Sequence, residues 1–173
     1  MKTILLSIMI ACALTLSARA ADVTAKISGV HLCCKGCVTG AEKAVSAVKG
    51  ATASVDADAE TVSLTGPDTA TVQKAADALV TAGYFGKSGE ASVKMVADTG
   101  AKGKKVQSLK LEGVHLCCGK CVSAVNQALK SVSGVKEHTA KKDAATFEVT
   151  GDFNDKEVIE ALHAAGLTGK VAK

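Results

Sequence analysis

The mix of apolar and polar positions along Val23–Val30 is strand-like, and the cysteine-bearing loop follows it. The spacing then changes: over Cys37–Val48, residues Val38, Ala41, Val45 and Val48 share one face of a helix, which Gly50 closes. Ala51–Ala57 and Glu60–Thr65 read as the two arms of a hairpin around Asp58-Ala59. Asp68 or Thr69 can cap a second helix, Thr71–Ala82, ended by Gly83. Ala91–Val96 completes the series as a short last strand.

The series then repeats. Val106–Val114 reads as a strand and Cys121–Val132 as a helix with Val122, Val125 and Leu129 inward. Val135–Ala140 and Thr146–Thr150 form a hairpin, Asp155–Ala165 a helix and Leu167–Val171 a closing strand. Cys34 and Cys118 lie 84 positions apart, and the same offset relates His31 to His115 and Gly50 to Gly134. An order β-α-β-β-α-β read twice predicts an α+β chain of two tandem ferredoxin-like sandwiches, each with both helices on one face of an antiparallel sheet. The expected division is 22–96 for the first domain, 105–173 for the second, and a short flexible linker at 97–104 containing Gly100 and Gly103. A unit of about 70 residues is near the size where one core supplies only a few kcal/mol, so a bound ion would add stability.

Composition narrows the setting. Lys2, the apolar run Ile4–Leu16 and the small-x-small triplet Ala18-Arg19-Ala20 read as a signal peptide over 1–20. The run is shorter than the roughly 20 residues of a bilayer span, so no stable membrane insertion is expected. Ile10-Ala11-Cys12 bears a faint resemblance to a lipoprotein signal, but cleavage there would leave an apolar stub. The expected location is outside the cytoplasm, periplasmic or secreted if the source is bacterial. Loss of Lys2 and Arg19 lowers the formal charge from +4 to +2, too little for a nucleic-acid partner. With no Trp, and only Tyr84, Phe85, Phe147 and Phe153 as aromatics, no base-stacking surface is present.

Candidate chemistry lies in one heptapeptide, His-Leu-Cys-Cys-x-x-Cys, found at His31–Cys37 and His115–Cys121, each time after Gly-Val. Structural disulfides join distant segments, whereas these thiols crowd into two short loops. The pattern points to a two-site metal-binding protein. Two thiolates separated by two residues can face one ion where a loop turns into a helix, with Cys34 and Cys118 on the loop and Cys37 and Cys121 in the first turn. The helix amino terminus carries about half a positive charge, which favours thiolate over thiol. Two thiolates suit Cu(I) or Hg(II); a further donor from Cys33, Cys117, His31 or His115 suits Zn(II) or Cd(II). Cys33 and Cys117 are either ligands or small buried residues, and His31 and His115 either ligands or capped imidazoles. Adjacent side chains diverge in an extended segment, so Cys33 and Cys34 need not serve one ion. Alternatively the two loops face each other and share one thiolate-rich cluster. His138 and His163 have no counterpart in the other copy and read as surface residues. The runs Lys102–Lys105 and Lys141-Lys142 read as solvated faces.

Cys-x-x-Cys between a first strand and a first helix resembles the heavy-metal-associated domain family, which includes copper chaperones, periplasmic mercury-binding proteins and the amino-terminal domains of heavy-metal P-type ATPases. The resemblance covers both copies. It places the family's ligand pair at Cys34/Cys37 and Cys118/Cys121, and matches a helix-end Gly and aromatic at Gly83-Tyr84, with Gly166-Leu167 as the weaker counterpart. This chain departs from the family at Leu32 and Leu116, at the extra thiols Cys33 and Cys117, and at His31 and His115. The resemblance implies capture or relay of a thiophilic ion, Cu(I) or Zn(II) ahead of Hg(II) or Cd(II), with a metal transporter or a second metal-binding domain as partner. A different class, thiol–disulfide exchange through the Cys-x-x-Cys pairs, fits the same spacing. A third reading is a pair of domains that mediates association with its cysteines left as disulfides. No triad, phosphate-cradling loop or paired carboxylates stand out, and no enzyme activity is expected.

Overall fold

The computed structural model describes residues 21–172; the signal-peptide reading of 1–20, Cys12 included, lies outside them. The first unit runs β1 (Val23–Ser28), α1 (Lys35–Ser46), β2 (Thr52–Asp56), β3 (Thr61–Gly66), α2 (Thr69–Thr81) and β4 (Lys87–Ser88). The second runs β5 (Lys105–Glu112), α3 (Gly119–Lys130), β6 (Val135–His138), β7 (Thr146–Asn154), α4 (Asp155–Ala164) and β8 (Lys170–Val171). Each makes a four-stranded antiparallel sheet, ordered β2-β3-β1-β4 and β6-β7-β5-β8. These are two tandem ferredoxin-like sandwiches.

The apolar positions read from the sequence produce the cores. Ala25 and Ile27 of β1 and Val62 and Leu64 of β3 are buried against Ala41 and Val45 of α1 and Val72, Ala75 and Leu79 of α2. In the second unit Leu111, Phe147, Val149 and Phe153 meet Val125, Leu129, Val158 and Leu162. Asp68 caps α2 by accepting from the Thr71 amide at 2.7 Å. Cys34 and Cys118 occupy the extended cap positions of α1 and α3, so both helices begin ahead of the expected Cys37 and Cys121.

Two local expectations fail. The last strand of the first unit is Lys87–Ser88, paired with Ile27 and Ser28, not Ala91–Val96. The alternation at Ala91–Val96 arises because Val93 is buried while the chain runs past α2, where the Gln73 side chain both donates to the Lys94 carbonyl and accepts from its amide, each at 2.8 Å. The stretch expected to be a flexible linker is also tied down. Asp155 accepts from the amides of Lys102 at 3.0 Å and Lys104 at 2.9 Å, and the Val171 amide donates to the Thr99 carbonyl.

Asp155 is only 6 % exposed. Desolvation pushes its carboxyl up, but the backbone donors of Lys102, Lys104, Gly103 and Lys156 outweigh it and hold the group below the ordinary carboxylate value. A depressed folded-state pKa means the carboxylate stabilises the fold at neutral pH and loses that effect as pH falls through the folded value. Asp155→Ala is expected to cost about 2–3 kcal/mol, the scale of hydrogen bonds to a charged group. Urea unfolding at pH 7 and again near pH 3 measures it, and the difference between wild type and variant should shrink at the lower pH.

Candidate metal centre

The two units meet through reciprocal backbone contacts. The amides of His31 and Phe85 donate to the Gly166 carbonyl at 3.2 and 3.1 Å, and the Thr168 amide donates to the Gly83 carbonyl at 3.0 Å. Tyr84 and Leu167 pair across the junction as an isolated antiparallel bridge. Gly83 and Gly166 have φ of +88° and +74°, and a Cβ on Gly83 would stand 2.5 Å from the Gly113 carbonyl oxygen. A Cβ on Gly166 would stand equally close to the Gly29 carbonyl oxygen, at 2.5 Å. His163, expected at the surface, stacks on Phe85 with ring centroids 3.6 Å apart and has Nε2 2.9 Å from the Thr168 hydroxyl.

This junction sets the two cysteine loops face to face. All six cysteines among the described residues carry free thiols. Within the first loop, Cys37 lies 3.7 Å from both Cys33 and Cys34; within the second, Cys121 lies 3.7 Å from both Cys117 and Cys118. Across the junction Cys33 meets Cys118 at 3.5 Å and Cys121 at 3.6 Å, while Cys117 meets Cys34 at 3.6 Å and Cys37 at 3.5 Å. Cys37 and Cys121 are buried and 3.7 Å apart at the centre. Sulfurs about 2.3 Å from a common ion in tetrahedral array are about 3.8 Å apart, close to these separations. The thiols therefore form one cluster, the facing-loop alternative of the two left open by the sequence, and every sequence-predicted site residue is at it.

Both histidines join. His115 offers a ring nitrogen within 4.8 Å of the sulfurs of Cys37, Cys117 and Cys121, and His31 does so for Cys33 and Cys121. The Tyr84 hydroxyl donates to the Cys37 carbonyl at 2.8 Å and lies 3.1 Å from His115 Nε2. Burial raises the Tyr84 pKa, and the neighbouring thiols add to it, so the hydroxyl keeps its single proton. With that proton committed to Cys37, the tautomer of His115 that donates from Nε2 to the tyrosine oxygen is the one that offers Nδ1 to an ion. Gly40 makes this fit: a Cβ there would collide with the Tyr84 hydroxyl and stand 3.1 Å from the His115 ring. The second copy has Leu167 in place of a tyrosine, and His31 Nε2 is buried with no partner. Tyr84 and Gly40 were missed as site residues; the Gly83-Tyr84 resemblance was the one signal, and it marked a helix end.

Electrostatics within the cluster is that of a shared negative charge. Cys37 is drawn far down, first by the thiol of Cys121 and further by His115, Cys117 and Cys33, against desolvation. Cys121 keeps its proton, pushed up first by its bond to Cys37. Desolvation leads the rise of Cys33, to about 12, and of Cys117. Neither cap sulfur completes a capping hydrogen bond, yet the Cys121 amide leads in drawing the Cys118 thiol down to about 6. An open groove of about 450 Å³, lined by residues including Cys33, Cys34, Lys35, Asp58 and Glu60, gives access from solvent.

Tyr84→Phe is expected to free the His115 ring and lower metal affinity by about tenfold to a hundredfold, as loss of a group orienting a ligand does. Competition with a chelator of known affinity measures it; an unchanged constant would show that His115 is not held for a metal.

No curated protein matches the chain. Among solved structures, the N-terminal domain of PacS from Synechocystis PCC6803 is 22% identical, covering 39% of this chain and 100% of that one, with a TM-score of 0.36. The apo form of the heavy-metal-associated domain of copper chaperone for superoxide dismutase is 26% identical, covering 51% and 86%, with a TM-score of 0.35. The N-terminal soluble domains of Bacillus subtilis CopA are 16% identical over 88% of this chain and 95% of theirs, with a TM-score of 0.31. Residues 109–168 match the heavy-metal-associated domain. That match lies within the second unit, and Val23–Ser88 is a first unit with the same order of elements.

Proposed function

We propose that this chain is an exported metal-binding protein that captures a thiophilic ion in the thiol cluster between its repeats and passes it on by ligand exchange, with no catalysed reaction. One observation carries the reading: six free sulfurs from two loops converge at 3.5–3.7 Å contacts. Packing so many thiols at a domain junction is poor use of a core position, but it is the donor set that soft and borderline ions favour. Cu(I) and Zn(II) are the leading candidates, then Hg(II) and Cd(II). The groove beside Cys33 and Cys34 offers an entry for a second thiol pair, as a metal transporter or another metal-binding domain would present. The basic, apolar and small-residue order of Met1–Ala20 supports export. Among the described residues no helix is long and apolar enough to cross a membrane.

Anaerobic titration of reduced protein beginning at Ala21 tests this. Uptake of about two equivalents is expected by the two-loop count, with Cys37→Ser and Cys121→Ser together abolishing tight binding, because both sulfurs sit at the centre of the donor set. Refusal of all four ions at micromolar concentration overturns the reading. Thiol–disulfide exchange draws on the lowered Cys118 thiol; activity of the metal-free protein in insulin reduction would favour it, and none is expected.

A further inference from the structure

We infer that each repeat completes the other's metal site: the His-x-Cys arm of one loop serves the Cys-x-x-Cys pair of the opposite loop, so the chain holds two ions in exchanged donor sets. This rests on the metal-binding reading above and explains why each loop carries a third thiol.

The sulfur contacts select the sets. Cys34, Cys37 and Cys117 close a complete triangle, with sides of 3.7, 3.6 and 3.5 Å. Cys118, Cys121 and Cys33 close another, with sides of 3.7, 3.5 and 3.6 Å. The two triangles share no sulfur and use all six. Each joins the Cys-x-x-Cys pair of one repeat to the leading thiol of the other. The triple within one repeat does not close in the same way: Cys33 touches Cys37 and Cys117 touches Cys121, but among the described residues no such contact joins Cys33 to Cys34 or Cys117 to Cys118. Cys34 and Cys118 are extended, with φ of −162° and −153°, and the Cys33 and Cys34 sulfurs, though within 4.8 Å of each other, are not in contact. The two remaining closed triples both contain Cys37 and Cys121, so they cannot hold separate ions without bridging sulfurs.

The histidines follow the same exchange. His115 stands with Cys37 and Cys117 of the first triangle and also with Cys121 of the second, and His31 stands with Cys33 and Cys121 of the second. Each arm therefore brings a thiol and an imidazole to the facing pair. Three thiolates and one imidazole suit a four-coordinate ion such as Zn(II) or Cd(II), and three thiolates alone suit a trigonal Cu(I) or Hg(II). Neither repeat by itself holds a complete set.

Two double variants of equal thiol count separate exchanged from unexchanged sets. Full-length mature protein, reduced and loaded with Cd(II), is read by cadmium NMR and by X-ray absorption for the number of sulfurs per ion. Wild type should hold two ions with three sulfurs each. Cys33→Ser with Cys118→Ser falls within one triangle and should leave one three-sulfur ion. Cys33→Ser with Cys34→Ser strikes both triangles and should leave none. A three-sulfur ion surviving in the second variant, or lost from the first, overturns the exchange, whether the true sets lie within repeats or group Cys33, Cys34 and Cys118 about one ion. The mirror pair, Cys117→Ser with Cys34→Ser against Cys117→Ser with Cys118→Ser, repeats the test if either variant misfolds. Failure of wild type to bind any candidate ion would sink the metal-binding reading itself and is thereby distinct.

Discussion

Gly83→Ala and Gly166→Ala, introduced together, are expected to pull the two thiol loops apart and to lower metal affinity by a hundredfold or more. Both glycines have positive φ, where a Cβ costs about 1–2 kcal/mol. In addition, the new Cβ on Gly83 would meet the Gly113 carbonyl oxygen at 2.5 Å and the His115 amide nitrogen at 2.6 Å. That on Gly166 would meet the Gly29 carbonyl and the His31 amide. These neighbours are backbone atoms of the segments leading into the cysteine loops and cannot swing aside, so relief comes by separating the units. Overpacking of this kind adds about 1–3 kcal/mol per site. Each unit keeps its own sheet and helices, so circular dichroism should change little while affinity, measured by chelator competition, collapses. Unchanged affinity would mean that the junction does not assemble the site.

Loading the reduced protein with its ion should raise the melting temperature by roughly 8–16 °C. Ligand at a thousand times its dissociation constant stabilises the folded state by about 4 kcal/mol, and in a chain of this length each kcal/mol moves the midpoint by about 2–4 °C. Because the donors come from both repeats, the loaded protein should melt in one transition. Thiols must release protons to bind, so the shift should diminish as the pH is lowered, and a chelator should reverse it. Differential scanning calorimetry of apo and loaded protein decides the matter; two separate transitions in the loaded form would show that the ions do not join the repeats.

Most of the architecture is legible from periodicity because β-α-β-β-α-β order is encoded locally. Ala25 and Ile27 alternate, Val38, Ala41 and Val45 recur at helical spacing, and Gly50 and Gly83 stand where helices end. The failures share a cause. Ala91–Val96 alternates like a strand, but its partner would have to be β1, whose free edge Lys87 and Ser88 already take. A polar side chain, Gln73, satisfies Lys94 instead. His163 reads as a surface residue because its stacking partner, Phe85, lies in the other repeat.

Residue order alone was enough to show the duplication, the cysteine and histidine inventory, and the thiols at two helix starts, since these depend on neighbours within a few positions. Which sulfur faces which was decided in three dimensions. Cys33 to Cys118 and Cys34 to Cys117 are contacts between loops more than eighty residues apart, set by the docking of Gly83–Phe85 against Gly166–Thr168. The contact that orients the His115 ring likewise depends on Tyr84 reaching across that junction. Short-range spacing carries no record of how two folded units turn toward each other; that orientation is where one shared cluster replaces two separate loops.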